Sequence, residues 1–363
     1  MINENVKFKK TKIILSGGGT GGSVTPLLQI HKDLKNEFDF LFVGTYKGIE
    51  REIIKKEDIP YRPILSGKWR RYFSLFNFLD IFKIFFAFWQ SLFLLKKEKP
   101  GLVISAGGFV AVPLSLASWF LKIPIIVHQQ DVAPGLANKI MSKVAKVTTL
   151  TFSKSLDNYS SKAKLIGNLG PNLEDFSFDK QAILRKYKIE ESNFPLVLVL
   201  GGGTGSVFLN RLISDSMEDL VVFSTVFHVS GKKERDVQKH FVHKNYKKID
   251  FIPHQDILAL LFVADLVVSR CGLGTLTELS FFKKPAILIP MPNSHQEFNA
   301  KEFAQAGAAK VLAEDNLRPD IFINEVRNIL NNSELKNRLS EKISSVIRNG
   351  NNDMVKIIKQ ILN

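Results

Sequence analysis

The stretch "SGGGTGGSVTPLL" at residues 16–28 follows the apolar run "KIILS", and "GGGTG" returns at 201–205 after "FPLVLVL". The two copies lie 184 residues apart, and each is trailed by "GSV". Glycine lets a backbone approach a ligand closely, and a helix starting just after such a turn presents unpaired N–H groups and the positive end of its dipole. A phosphate or diphosphate fits such a loop. Tight packing of strand on helix would explain one glycine turn; two at equivalent places favour a ligand. Neither is a Walker loop, because no G-K-[ST] follows. A third glycine pair stands in "CGLGTLTE" (271–278), with two threonines and the carboxylate of Glu278 directly after an apolar run. Backbone donors there suit a departing diphosphate, although Glu278 is also a residue that simply favours a helix start.

These residues need a scaffold that repeats. Short buried strands are predicted at 38–44, 102–108, 123–129 and 146–152, then at 248–253, 264–270 and 285–290, with amphipathic segments between them. Strands alternating with helices indicate parallel, doubly wound sheets. The fold class is therefore α/β, with two Rossmann-like domains facing across a cleft. Residues 1–170 form the first domain and 171–340 the second, joined through the Gly-, Pro- and Asn-rich stretch 166–178, and a helix over 341–363 is expected to return to the first domain. A dinucleotide site is the competing reading of "GGGTGG" as G-x-G-x-x-G, but the acidic ribose partner it needs is only loosely supplied by Asp39.

The 363 residues carry a formal net charge of +15, unevenly placed. Residues 1–170 hold 25 Lys and Arg against 12 Asp and Glu, and the remainder 25 against 23. A basic first half points to a polyanionic partner. Much of the excess brackets "GKWRRYFSLFNFLDIFKIFFAFWQSLFLLKKEKP" (67–100), rich in phenylalanine and tryptophan and flanked by Lys68, Arg70, Arg71, Lys96, Lys97 and Lys99. Its longest uncharged run, Ile84 to Leu95, has 12 residues, short of the ~20 that span a bilayer. An interfacial segment on an anionic membrane surface fits; a buried helix of the first domain is the alternative, and one helix can do both. No RNP, KH or zinc signature supports a nucleic acid as partner. The single cysteine, Cys271, excludes an internal disulfide and points to a reducing compartment. The apolar run after "MINENVKFKKTK" is too short for a signal peptide, so no leader is expected.

Taken in order, "GGGTGGSVTPLL", "SAGGFVAVPLSLASWFLKIPIIVHQQDVAPGLANKIMSKVA", "IGN" and "SRCGLGTLTELSFFKKPAILIPMPNSHQEFNAKEFAQAGAAKVL" resemble the bacterial peptidoglycan glycosyltransferases that add N-acetylglucosamine to undecaprenyl-pyrophosphoryl-N-acetylmuramoyl-pentapeptide, making lipid II from lipid I. The likeness runs over about residues 10–315. It implies a GT-B fold, an inverting mechanism, no metal and no cofactor. The donor would be UDP-N-acetylglucosamine, and the place of work the cytoplasmic face of the cell membrane, peripherally. By matching motif, Ile252 would touch the uracil through its backbone. Leu273, Gly274, Thr275, Leu276 and Thr277 would form the turn and helix start under the diphosphate. Glu278 would accept from the ribose hydroxyls, Gln296 and Asn299 would reach the sugar, and Gly203 would lie in the second glycine loop. Thr20, Gly21 and Gly22 would face the donor from the first domain.

The same likeness exposes departures. The family's G-G-T-G-G-H ends here in Ser23, its "HEQN" reads "HQQD", and its "GNPVR" reads "GNLGP". A histidine and an arginine are gone, and a carboxylate has left position 129 and entered at Asp131. A serine hydroxyl is a poor base without activation, whereas a carboxylate can take a proton from a hydroxyl; Asp131 is then the candidate base, and Ser23 and His128 are the other candidates for proton transfer, His128 being equally a structural hydrogen-bonding residue at a strand end. A transferase with another lipid acceptor and a catalytically silent UDP-sugar-binding protein are the alternatives.

Overall fold

The computed structural model describes residues 10–19, 21–67, 75–159, 161–189, 194–202, 205–231 and 241–363, with only the backbone of 75–81. The chain divides into two compact units, Met1–Gly170 with Asn349–Asn363, and Pro171–Arg348. Among the described residues the first unit carries seven strands: β1 (Lys12–Ser16), β2 (Asp39–Gly44), β3 (Tyr61–Pro63), β4 (Leu102–Ser105), β5 (Ile125–Gln129), β6 (Val147–Leu150) and β7 (Ala163–Leu165). The second carries six: β8 (Leu196–Leu200), β9 (Thr225–Val229), β10 (Tyr246–Ile249), β11 (Leu266–Ser269), β12 (Ala286–Leu288) and β13 (Lys310–Val311). The helices of the first unit are α1 (Thr25–Leu34), α2 (Ile49–Ile54), α3 (Leu75–Glu98), α4 (Ala111–Phe120) and α5 (Leu136–Val144). Those of the second are α6 (Lys180–Lys186), α7 (Val207–Leu220), α8 (His254–Val263), α9 (Leu273–Phe281), α10 (His295–Gln305), α11 (Pro319–Asn331) and α12 (Ser333–Val346). A last helix, α13 (Asn351–Leu362), belongs to the first unit.

Every strand pair is parallel, and the orders are β3-β2-β1-β4-β5-β6-β7 and β10-β9-β8-β11-β12-β13. Parallel strands covered on both faces read as continuous apolar runs. Ile13 and Leu15 of β1 accordingly enter one core with Leu27, Phe42 and Ile358, while Ile14 enters another with Val43, Leu95 and Leu114. The strand order reverses between β1 and β4 and again between β8 and β11. In open α/β sheets ligands bind beyond the carboxyl ends of the strands at such a reversal. Both "GGGTG" loops sit there, after β1 and after β8.

Three differences from the sequence reading have physical causes. The strand predicted at 248–253 is β10, Tyr246–Ile249, because Asp250 leaves the ladder to accept from the Ser230 hydroxyl at 3.0 Å and Pro253 caps α8. β9 is absent from that reading because His228 interrupts its apolar run; the ring is wholly buried, paired to Asn210 Oδ1 at 2.8 Å and to the Tyr246 hydroxyl at 3.2 Å. The chain re-enters the first unit at Asn349 and not at 341, because α12 packs on α9 and α11 of the second unit.

Within the first unit, the outgoing and returning segments are clasped together. The Gly350 amide donates to Asn168 O at 2.8 Å. The buried Asn351 side chain accepts from Gly170 N at 3.2 Å and donates to Gly170 O at 2.9 Å, standing in for a stretch of β ladder. Asn351→Ala strands both backbone groups away from water. We expect a loss of about 1–3 kcal/mol in urea unfolding, with Asn351→Asp, which keeps the acceptor alone, between the two. An unchanged midpoint at unchanged slope would show the clasp to be dispensable.

Candidate active site

In the first unit the glycine loop after β1 is packed backbone to backbone. A Cβ on Gly17 would lie 2.7 Å from Ser23 O, and one on Gly108 would lie 2.6 Å from Gly18 O. Gly19 takes φ +90, a conformation that favours glycine. Its amide donates to the carboxylate of Glu50 at 3.3 Å, which also accepts from the amide and hydroxyl of Thr45. Glu50 is 0% exposed. The Gly19 amide is therefore already taken by a carboxyl group of its own chain, at the start of α2. Gly21 and Ser23 lie in the short turn that follows, with Gly22 between them, and Thr20 lies outside the described residues. Ser23 is buried, and its hydroxyl donates to Gly18 O at 3.3 Å.

His128, on β5, is wholly enclosed. Burial pushes its pKa down to about 4, so the ring is neutral at pH 7. Nε2 donates to Asn168 Oδ1 at 2.8 Å and Nδ1 accepts from the Thr149 hydroxyl at 3.0 Å. Neither nitrogen is presented outward, so the proton-shuttle expectation gives way to a positioning role. The next residue, Gln129, is also buried. Its amide nitrogen donates to Asp131 O at 2.6 Å, and its oxygen accepts from Asn138 at 2.6 Å and the Tyr159 hydroxyl at 3.1 Å. Gln130 donates to Ala106 O at 3.3 Å. The loop after β5 is thus fixed by contacts from three places in the chain, and Asp131 stands near its beginning, half-buried.

In the second unit, Gly202 and Gly205 take φ +83 and +82, and Ser206 caps α7 by accepting from Leu209 N. Gly203 lies outside the described residues. Arg270, directly after β11, went unassigned in the sequence. Its guanidinium is buried, donating to Ser206 Oγ at 2.9 Å and to the carbonyls of Ile289 and Pro290, both at 3.2 Å, and pairing with Glu314. A lone arginine closing a buried apolar strand is the signal that could have found it. Gly272 caps α9 with φ −70, and a Cβ on Gly272 or Gly274 would meet nothing within 4 Å. Neither glycine is demanded by packing, so the space over the helix start is open to a ligand.

The other residues of that motif divide. Leu273, Leu276 and Thr277 are buried, the Thr277 hydroxyl donating to Leu273 O at 2.8 Å, so only their backbone is available; Gly274 and Thr275 are partly exposed. Ile252 is buried too. Gln296 accepts from the amides of Cys271 and Met291 at 3.2 and 3.1 Å, and the wholly buried Asn299 donates to Cys271 O at 3.4 Å. Both amides brace the turn before α9. Glu278 is 7% exposed, and its Oε1 lies 2.7 Å from His254 Nε2, a pairing that holds the His254 pKa above its usual value. His254 is a second residue the sequence reading passed over. Among the described residues no three His, Cys, Asp or Glu side chains gather as a metal site would require.

Two Rossmann-like units with parallel sheets, and an anion-ready helix start at the switch point of the second, define the GT-B class of glycosyltransferases. The fold is shared with Acinetobacter baumannii MurG at a TM-score of 0.75 and 24% identity, over 96% of this chain and 99% of that one. It is shared with a Neisseria meningitidis UDP-GlcNAc 2-epimerase bound to UDP-GlcNAc at a TM-score of 0.68 and 14% identity, over 98% and 100%. Residues 13–149 match the glycosyltransferase family 28 N-terminal domain and 196–360 its C-terminal domain. The chain is 36% identical over 359 residues to a Clostridium perfringens protein, covering 97% of this chain and 99% of the relative. It is 32% identical over 355 residues to one from Clostridium kluyveri, covering 96% and 99%. Both are named UDP-N-acetylglucosamine--N-acetylmuramyl-(pentapeptide) pyrophosphoryl-undecaprenol N-acetylglucosamine transferase. The chain belongs to this family of transferases.

The open space at α9 makes a separable prediction. Gly274→Ala places a methyl group where no protein atom stands and improves helix propensity, so stability should hold or rise by up to about 1 kcal/mol. The Kd for UDP measured by calorimetry should nonetheless weaken about tenfold. Equal affinity in the two proteins would remove this turn from the donor site.

Proposed function

We infer that the protein transfers N-acetylglucosamine from UDP-N-acetylglucosamine to polyprenyl-pyrophosphoryl-N-acetylmuramoyl-pentapeptide, the conversion of lipid I to lipid II in peptidoglycan synthesis. The observation that carries this is likeness to transferases of that name across almost the whole chain, with both family domains matched. The donor belongs to the second unit. The diphosphate lies over Gly272–Thr275, where helix N–H groups favour negative charge. The Ile252 backbone meets the uracil, Glu278 the ribose hydroxyls, and Gly203 the second glycine loop's side of the donor. Gln296 and Asn299 act through the turn they brace. For Thr20, Gly21 and Gly22 of the first unit the donor role rests on the motif likeness alone.

The reaction is a single displacement. The acceptor hydroxyl attacks the anomeric carbon, the bond to the diphosphate oxygen breaks, and UDP departs with the charge stabilised at the start of α9. The hydroxyl proton passes to Asp131, the catalytic base. Gln129 holds Asp131 by its backbone, and His128 fixes the strand beneath. Ser23 shapes the first loop. Asp131→Asn should lower kcat about 10²–10⁴-fold, the usual share of a general base, with donor Kd nearly unchanged. Ser23→Ala should change kcat little. Full turnover by Asp131→Asn on a lipid I analogue with radiolabelled donor would contradict the assignment, and donor binding by the parent without any transfer would favour a silent binder.

The acceptor's polyprenyl tail requires a membrane surface, and we propose that α3 meets it at the cytoplasmic face. None of the described helices is long and apolar enough to cross a membrane. Yet Phe82, Phe85, Phe86, Trp89 and Phe93 form one exposed helical stripe, with Phe93 71% exposed, while Ala87, Ser91, Leu92 and Leu95 face the core. Trp119 and Phe120 at the end of α4 extend the patch, Phe120 meeting Phe88 at 6.4 Å between ring centroids. Lys83, Lys96 and Lys97 are exposed beside it, whereas Lys68, Arg70 and Arg71 lie outside the described residues. Aromatic residues rimmed by lysine suit the interface of an anionic leaflet. Replacing Phe85, Phe86 and Phe93 by serine should abolish co-flotation with anionic vesicles at unchanged thermal stability. Lys96→Gln with Lys97→Gln should remove much of the salt sensitivity. Flotation equal to the parent's would assign the stripe to something other than lipid.

A further inference from the structure

Glu278 sits in the middle of α9, too far from the helix start to be fixed by the dipole, which acts within the first turn. It is nearly buried, and a carboxylate in that setting needs its oxygens satisfied. One of them is: His254 reaches from the first position of α8 and places Nε2 2.7 Å from Oε1. The ring itself is half exposed, with 53% of its side chain accessible. The other acidic residue at the start of α8, Asp256, is turned to Lys186 of α6 at 2.6 Å. Among the described carboxylates His254 is paired with Glu278, and it holds Oε1 whether charged or as the neutral tautomer protonated at Nε2, since Nε2–H donates in both.

A ribose offers two vicinal hydroxyl donors, and a carboxylate accepts both at the least ordering cost when its plane is set before the nucleotide arrives. We propose that His254 is a positioning residue for nucleotide recognition: by pinning Glu278 Oε1 it presents Oε2 to the ribose diol. This rests on the assignment of Glu278 to the ribose. Acting through Glu278, His254 is expected to affect recognition of the ribose hydroxyls only.

The test is a cycle of UDP against 2′,3′-dideoxy-UDP, with Kd measured by calorimetry on the parent, Glu278→Ala, His254→Ala and His254→Gln, each checked by thermal melting. Glu278→Ala should weaken UDP about 10–100-fold and leave the dideoxy nucleotide nearly unaffected. His254→Ala should weaken UDP about 5–20-fold with the same indifference to the dideoxy compound. His254→Gln, whose amide N–H can reach the same oxygen, should recover most of the loss. If Glu278→Ala weakens both nucleotides alike, the ribose assignment falls and the role of His254 with it. If Glu278→Ala discriminates but His254→Ala weakens both alike, or neither, only the role of His254 is overturned.

Discussion

The strand order in each sheet turns around at one place, and the positions of the proposed site residues follow from that turn. At β1 and β4, and at β8 and β11, neighbouring strands send their connections to opposite faces of the sheet. Their carboxyl ends are left uncovered by a crossover helix, and this is where loops can hold a ligand. The loops with Gly17–Ser23, Gly107–Gly108 and Gln129–Asp131 open at the ends of β1, β4 and β5. Gly201–Ser206, Arg270–Glu278 and Gln296 follow β8, β11 and β12. A one-residue slip in a parallel register would turn β1 and β8 inside out, so the cores that fix these strands also fix the loops.

The loops are held by buried polar side chains whose partners come from other elements. Glu50 grips the first glycine loop, His128 joins β5 to β6 and to Asn168, and Arg270 ties β11 to the start of α7 and the end of β12. Groups like these stabilise little in sum, because desolvation offsets most of the attraction, but removing one partner leaves the other uncompensated. They act as fasteners for the geometry of the loops. Asp131 benefits most directly, since its backbone is held by Gln129, which Asn138 and Tyr159 hold in turn.

The fold was legible because parallel strands buried on two faces leave uninterrupted apolar runs, and because glycine turns mark their ends. β9 was not, since a buried histidine satisfied by Asn210 breaks the run, and only the tertiary structure reveals that satisfaction. The two "GGGTG" copies look alike in sequence. Glu50, distant along the chain, places its carboxylate in the first, and no local pattern announces it. Arg270 and His254 were missed for the same reason: Ser206 and Glu278 are remote in sequence, so spacing carries no sign of the contact. The exposed side of α3 was readable as aromatic, and its division into a core face and an outer stripe required the packing of α4 against it.

The account gives the role of base to a carboxylate, and it requires that Asp131 deprotonate the acceptor in a single displacement. That has one stereochemical consequence. UDP-N-acetylglucosamine is the α-anomer, so displacement by the acceptor hydroxyl must give the β-linked product. Proton NMR of the disaccharide formed on a water-soluble lipid I analogue reads the configuration from the coupling of the anomeric proton. The large axial–axial coupling of a β-glycoside is the result predicted; the small coupling of an α-glycoside would show retention and contradict the mechanism.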